Sequence, residues 1–293
     1  MIIDGVFSGG GIKGYGLLGG FQELEERGFT FHRTAGTSAG SIIAAFIAAG
    51  YTGEEMEKLF IDINLSGLLD RRHGLIPIPF AKWLLVYWKL GLYKGEALEK
   101  WVAQKLAIRN VVTFKDLPPQ SLRIIASDIT NGKLVVLPDD LKNYGIDPHT
   151  FSVAKAVRMS CSIPYFFEPV KLNVGKSTAL FVDGGVLSNF PMWLFNSEHI
   201  RKERPVIGLR LSADEIWKPH EVGNAVELFS ALFKTMKDAH DSRYISKKHV
   251  NNIVFIPMKG ISAMDFNMND EMKGELIERG RIYTREFLKR WTY

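Results

Sequence analysis

The chain has 293 residues, of which 46% are hydrophobic and 24% charged. That composition is ordinary for a folded soluble protein and excludes a disordered, collagen-like or disulfide-stapled chain. Its 37 basic and 32 acidic side chains leave a net charge of +5, far short of a nucleic-acid-binding tail, so no nucleic-acid partner is expected.

Met1 to Gly5 lacks the basic and long apolar regions of a signal peptide. Ile2 to Phe7 is a short apolar run ending in glycines and reads as a buried strand. Leu17 to Arg27 has helical spacing, with Leu17, Phe21 and Leu24 on one face and Gly28 as the stop. A short strand then leads to Gly36, and Ser41 to Ala49 reads as a buried helix. Further strands are expected at Leu122 to Ala126, Leu134 to Leu137, Leu180 to Val182, Val206 to Leu211 and Ile253 to Ile256. Gly95 to Leu106, Val222 to Val250 and Asp270 to Arg290 read as helices. This alternation predicts an α/β fold with helices on both faces of a sheet. No linker divides the chain, so residues 1–293 are expected to form one domain, with 212–293 as a C-terminal helical part. The lone cysteine, Cys161, cannot pair internally and fits a reducing, cytoplasmic setting.

Residues 71–94 stand apart. They hold Arg71, Arg72, Lys82, Lys89 and Lys94 with no acid, and Trp83 to Trp88 is an unbroken apolar run. The run is too short to span a bilayer, which needs about 20 apolar residues. Trp83, Tyr87 and Leu90 would share one helical face, with Lys82 and Lys89 beside it. The segment reads equally as a membrane-facing cap that meets anionic headgroups and as a core-packing helix.

Gly36-Thr37-Ser38-Ala39-Gly40 matches G-x-S-x-G at a strand-to-helix turn. Small neighbours let strand and helix approach closely there, which presents the serine at the end of a sheet. Alone, the pattern reads equally as a nucleophile and as a serine capping a helix. Ser8-Gly9-Gly10-Gly11-Ile12-Lys13-Gly14 follows the first strand, and its glycines free backbone N–H groups to converge on an oxyanion. The same glycines satisfy G-x-G-x-x-G, but a dinucleotide site wants an acid at the second strand's end. That place is taken by Gly36-Thr37-Ser38.

A serine hydroxyl needs a base. None of the seven histidines, His32, His73, His149, His199, His220, His240 and His249, has a site-like context. Asp183, in Phe181-Val182-Asp183-Gly184-Gly185, ends a strand-like run and could accept the proton directly. By itself the motif is better explained as an ordinary Asp-Gly turn. An α/β-hydrolase triad would place several strands before the elbow, whereas only one strand–helix unit precedes Ser38. A serine–aspartate dyad is therefore preferred, with a histidine-assisted triad as the minor reading.

Together these motifs resemble the patatin-like phospholipase family. The order matches: Gly9-Gly10-Gly11-Ile12-Lys13-Gly14, then Gly36-Thr37-Ser38-Ala39-Gly40, then Asp183-Gly184-Gly185. Ser160-Cys161-Ser162-Ile163-Pro164, Phe167-Glu168-Pro169-Val170 and Asn189-Phe190-Pro191 also fit. The resemblance covers about residues 2–211. It implies a three-layer α/β/α sandwich with a mostly parallel central sheet. It implies Ser38 as nucleophile, Asp183 as general base and the Gly9, Gly10 and Gly11 amides as the oxyanion hole. Lys13, Gly14, Gly36, Gly40, Gly184 and Gly185 support these motifs. The family often has Asp before its glycines and Arg within them, where this chain has Ser8 and Lys13. The implied activity is lipid acyl hydrolysis through a covalent acyl-enzyme, on a lipid or phospholipid substrate. Other readings of the same site are a carboxylesterase, thioesterase or transacylase, and a non-catalytic lipid-binding member.

No His/Cys/Asp cluster has metal-ligand spacing, so neither metal nor cofactor is expected. Met258, Met264, Met268 and Met272 could line an acyl groove, though their spacing fits plain packing as well. Lys273 to Arg290 is expected to be a solvated face. The expected location is cytoplasmic, with peripheral contact to anionic membrane.

Overall fold

The computed structural model describes residues 1–70, 86–195, 204–212, 250–258 and 266–292, with isolated positions between 222 and 236. In chain order the elements are β1 (Ile2–Phe7), α1 (Tyr15–Glu26), β2 (Thr30–Thr37), α2 (Ala39–Ala48) and α3 (Gly53–Ile61). Next come β3 (Gly91–Tyr93), α4 (Glu96–Ile108), β4 (Leu122–Asp128), β5 (Lys133–Leu137) and α5 (Val153–Ser160). β6 (Tyr165–Phe167), β7 (Val170–Val174), β8 (Ser177–Asp183), β9 (Val206–Ser212), β10 (Ile253–Pro257) and α6 (Asp270–Arg290) complete the described chain.

Among the described residues, eight strands form the central sheet in the order β10-β9-β1-β2-β4-β8-β7, with β5 also paired to β4. The pairs from β10 through to β4 are parallel, and β4–β5, β4–β8 and β7–β8 are antiparallel. β1 lies in the parallel half and is buried from Ile3 onward, as a strand covered on both faces must be. Its polar residue Asp4 is fully buried and ion-paired with Arg33 of β2. β3 and β6 form a separate two-stranded sheet.

One face of the sheet, through Ile3, Phe7, Leu209 and Ile256, packs with Leu17, Leu18 and Phe21 of α1 and with Ile43 and Phe46 of α2. Fully burying one such side chain contributes roughly 1.5–3 kcal/mol. On the other face Val6, Ala35, Val206 and Ile253 meet Phe190, Met192 and Phe195. The fold is thus mixed α/β around a central sheet, as expected. The helix expected at Val222 to Val250 falls almost wholly outside the described residues.

The strand pairing at β4 positions everything that follows. β5 pairs with β4 from Ile124 to Asp128 and so occupies one edge of it. β2 and β8 must therefore share the other edge. β2 lies beside Leu122 to Ile125, and β8 beside Ala126 to Asp128. The last residue of β2, Thr37, registers with Ile125, and the last residue of β8, Asp183, registers with Ala126. Successive Cα atoms are about 3.8 Å apart, so the two strand tips meet head-on.

One expectation is corrected. Lys273 to Arg290 is not simply a solvated face: α6 buries Leu276, Ile277, Gly280, Thr284 and Phe287. A Cβ on Gly280 would overlap the Gly16 backbone, and one on Gly19 would overlap the Ile277 carbonyl. Side-chain-free positions on both helices let α6 lie directly on α1. Lys273 is 4% exposed, its ammonium donating to Ile61 O at 2.7 Å and to Asp270 at 2.8 Å.

Candidate active site

Ser38 sits between β2 and α2 with φ 53° and ψ −127°. A non-glycine residue there is strained by roughly 1–3 kcal/mol. The surroundings impose it: a Cβ on Gly36 would overlap Gly40 O, and one on Gly40 would overlap Phe7 O. Strand, turn and helix are thus in backbone contact at these two glycines. Ser38 precedes α2 but makes no side-chain capping bond. Its hydroxyl is not spent on the helix, which removes the helix-cap explanation of the motif. Its N–H instead donates to Ser160 Oγ at 2.9 Å, and its carbonyl accepts from Ser41 Oγ at 2.6 Å.

Asp183 is 2% exposed. Its N–H donates to Ser162 O at 2.8 Å, and Oδ1 accepts from Gly185 N–H at 2.7 Å. The Asp-Gly turn is real, yet the β4 register brings it to the elbow. A Cβ on Gly184 would overlap Ile125 O. Of the histidines, His32 and His149 are described, and both are exposed. His73, His199, His220, His240 and His249 lie outside the described residues.

The glycine turn closes the site from the β1 side. Gly9 N–H donates to Asn189 O at 3.0 Å. A Cβ on Gly9 would stand 2.5 Å from Asn189 Oδ1 and 3.1 Å from Ser38 Cβ. Gly9 therefore packs against the nucleophile candidate, but its amide is engaged in holding residues 188–189. Gly11 opens a short 3-10 turn to Gly14 with φ 59°. Lys13 is half-buried in that turn. A Cβ on Gly14 would lie 3.0 Å from Ala39 Cβ.

Ser38 opens into a cavity of about 90 Å³ that widens to solvent. The lining includes Gly11, Ile12, Tyr15, Ala39, Ile42, Phe60, Leu98, Trp101, Ile163, Phe167 and Phe266. Such a wall solvates a hydrocarbon chain and offers little to a polar ligand. Cys161 also lines it, its sulfur 3.8 Å from Ser41 Oγ. Burial, and after it the charge of Asp183, push the Cys161 thiol up to about 12. It stays protonated at neutral pH and is no rival nucleophile. Of the methionines considered for an acyl groove, Met258 and Met268 are buried in the core, Met272 packs against it, and none of the three lines the cavity. Met264 lies outside the described residues.

Sequence reasoning missed the rim. Asp70 accepts from Gly95 N–H at 2.7 Å and Ala97 N–H at 3.1 Å, capping α4. Arg158, 3% exposed, donates to Lys94 O at 2.5 Å and Glu168 O at 2.8 Å. These bonds tie β3, β6 and α4 together beside the cavity. Of residues 71–94, positions 71–85, with Trp83 and Lys82, lie outside the described residues. Tyr87 and Trp88 are 74% and 71% exposed, stacked edge to face at 5.2 Å. No described helix is long and apolar enough to cross a membrane.

A family model for patatin-like phospholipases matches residues 5–195. YqhO of Bacillus subtilis is 54% identical over the full length of both chains. A probable lipid hydrolase of Invertebrate iridescent virus 6, 463L, is 26% identical over 68% of this chain and 65% of its own. Among solved structures, VipD from Legionella pneumophila superposes with a TM-score of 0.59 at 18% identity, covering 99% of this chain and 67% of that one.

Proposed function

The chain belongs to the patatin-like phospholipase family, and on that premise we propose that it cleaves carboxylic esters of lipids, phospholipids included, through a Ser38–Asp183 dyad. One observation carries the reading. Ser38 is held on a strained turn, its hydroxyl unused by the helix and open to an apolar cavity. The β4 register, which sets Asp183 at the next position along the same edge, supports the choice of base.

In the proposed reaction Ser38 Oγ attacks the ester carbonyl while its proton passes to the Asp183 carboxylate. The carbonyl electrons move onto oxygen. That oxyanion is held by the Gly10 and Gly11 amides, with Gly9 serving to lock the turn through Asn189. Collapse breaks the ester C–O bond, and the alcohol leaves with the proton from Asp183. Water then attacks the acyl-enzyme and gives its proton to Asp183. The acid is released as Ser38 Oγ recovers that proton. The acyl chain occupies the cavity lined by Ile42, Phe60 and Trp101 among others. A fluorophosphonate probe followed by peptide mass mapping tests the nucleophile: modification at Ser38, lost in Ser38→Ala, is expected. A folded protein that hydrolyses lipid esters without Ser38 would overturn the reading. A lipid panel scored by released fatty acid then ranks substrates.

The exposure of Tyr87 and Trp88 beside Lys89 favours peripheral contact with anionic lipid, because amphipathic aromatic rings suit the headgroup level. Flotation with anionic vesicles is expected to weaken in Trp88→Ala and Lys89→Glu. Unchanged flotation of both would remove this contact.

A further inference from the structure

Ser160, the last residue of α5, is fully buried and does not line the cavity. Its Oγ accepts from Ser38 N–H at 2.9 Å and donates to Ile125 O at 2.6 Å. Its single proton and one of its lone pairs are thereby spent on backbone. Ile125 is the register partner of Thr37 and the neighbour of Ala126, which registers with Asp183. Its carbonyl also abuts Gly184, where a Cβ would overlap it. Two residues beyond Ser160, Ser162 O accepts the Asp183 N–H. The turn after α5 therefore touches both strand tips.

We propose that Ser160 is a positioning residue whose hydroxyl fixes the distance between Ser38 and Asp183. The inference rests on the Ser38–Asp183 reading. The Ser38 N–H precedes α2, outside that helix's ladder, and Ser160 supplies its acceptor. The β2 ladder carries the chain to β4 as far as Thr37, and the Ser160 hydroxyl extends that link from the Ser38 N–H to the Ile125 carbonyl. A displacement of about 1 Å at a reacting group can cost roughly 100-fold in rate. Because Ser160 is away from the cavity wall, its loss falls on turnover and not on substrate binding.

The test is steady-state hydrolysis of a soluble short-chain ester by Ser38→Ala, Ser160→Ala and Ser127→Ala, with thermal unfolding of each. Ser127 is an equally buried serine of β4 whose hydroxyl has no partner among the described residues, so it controls for deletion of a buried oxygen. Ser160→Ala is expected to lower kcat roughly 10- to 100-fold, with KM within about twofold of the parent. Fluorophosphonate labelling of Ser38 should slow in parallel, and Ser127→Ala should match the parent. A parental kcat in Ser160→Ala overturns the proposal, as does an equal loss in Ser127→Ala. If Ser160→Ala does not fold, Ser160→Cys has similar size but weaker hydrogen bonding, and carries the same expectation and the same overturning result. Retained activity in Ser38→Ala would instead refute the dyad itself, so the two failures are distinguishable.

Discussion

Ser38 and Asp183 reach neighbouring positions of β4 from opposite directions, and the two strand tips are held differently. At the elbow, steric contact does the holding: Gly36 and Gly40 bring backbone against backbone, and Ser38 is forced to φ 53°. At the other tip Asp183 has an ordinary backbone, φ −49° and ψ 133°, and is held by hydrogen bonds from Gly185 N–H and to Ser162 O. The tip assigned the nucleophile stores strain, while the tip assigned the base stores none. A hydroxyl must be aimed along one line at a carbonyl, whereas a carboxylate with two oxygens tolerates some rotation. The contrast fits the division of labour proposed for them.

Substitutions can break that contrast or sharpen it. Ser38→Ala should have the largest effect, reducing ester hydrolysis by at least about 1,000-fold while circular dichroism stays parental. Asp183→Asn keeps an acceptor for the Gly185 N–H yet cannot take a proton. Released fatty acid should fall by roughly 100- to 10,000-fold, the range of a lost general base. Gly40→Ala attacks the elbow's packing, since its Cβ overlaps the Phe7 carbonyl. Urea unfolding should show a loss of about 1–3 kcal/mol. Ser38→Gly, inactive, should gain about 1 kcal/mol by the same measurement, because glycine accepts this backbone without strain. A loss of stability there would mean that the elbow is not the strained tip. The smallest effect concerns Cys161. With its thiol pushed up to about 12, the pKa lies well above pH 8 and almost no thiolate exists there. Iodoacetamide at pH 8 should therefore leave the native protein unmodified, as read by intact mass.

Much of the fold is legible in the sequence. β1 spans the expected Ile2 to Phe7, and β4, β5, β8, β9 and β10 contain the apolar runs that predicted them, because buried strands write their burial into consecutive residues. α3 was missed although its Thr52 and Glu55 form a capping box, a signal present in the sequence. α5 is hard to read because it is only 8 residues long and buries the charged Arg158 together with its apolar side chains. The site motifs were legible through their glycines, which mark close approach. What could not be read was who approaches whom. The Gly9 amide is committed to Asn189, 180 residues away, and Ser160 meets Ser38 across 122 residues. Such bonds depend on strand order, and nothing local announces that β2 and β8 share an edge of β4.

The direct seating of α6 on α1 bears on how this protein can be divided. The glycine turn runs straight into α1, and α1 lies on α6 through Gly16, Gly19 and Gly280. The family match stops at residue 195, but a fragment cut there would also lose β9 and β10 and bare the face of α1. Such a minimal fragment is expected to aggregate on expression, and adding back residues 204–292 as part of the chain should restore solubility. The tail end of the polypeptide thus acts as the splint for its opening turn, and shortening it would loosen the site from behind.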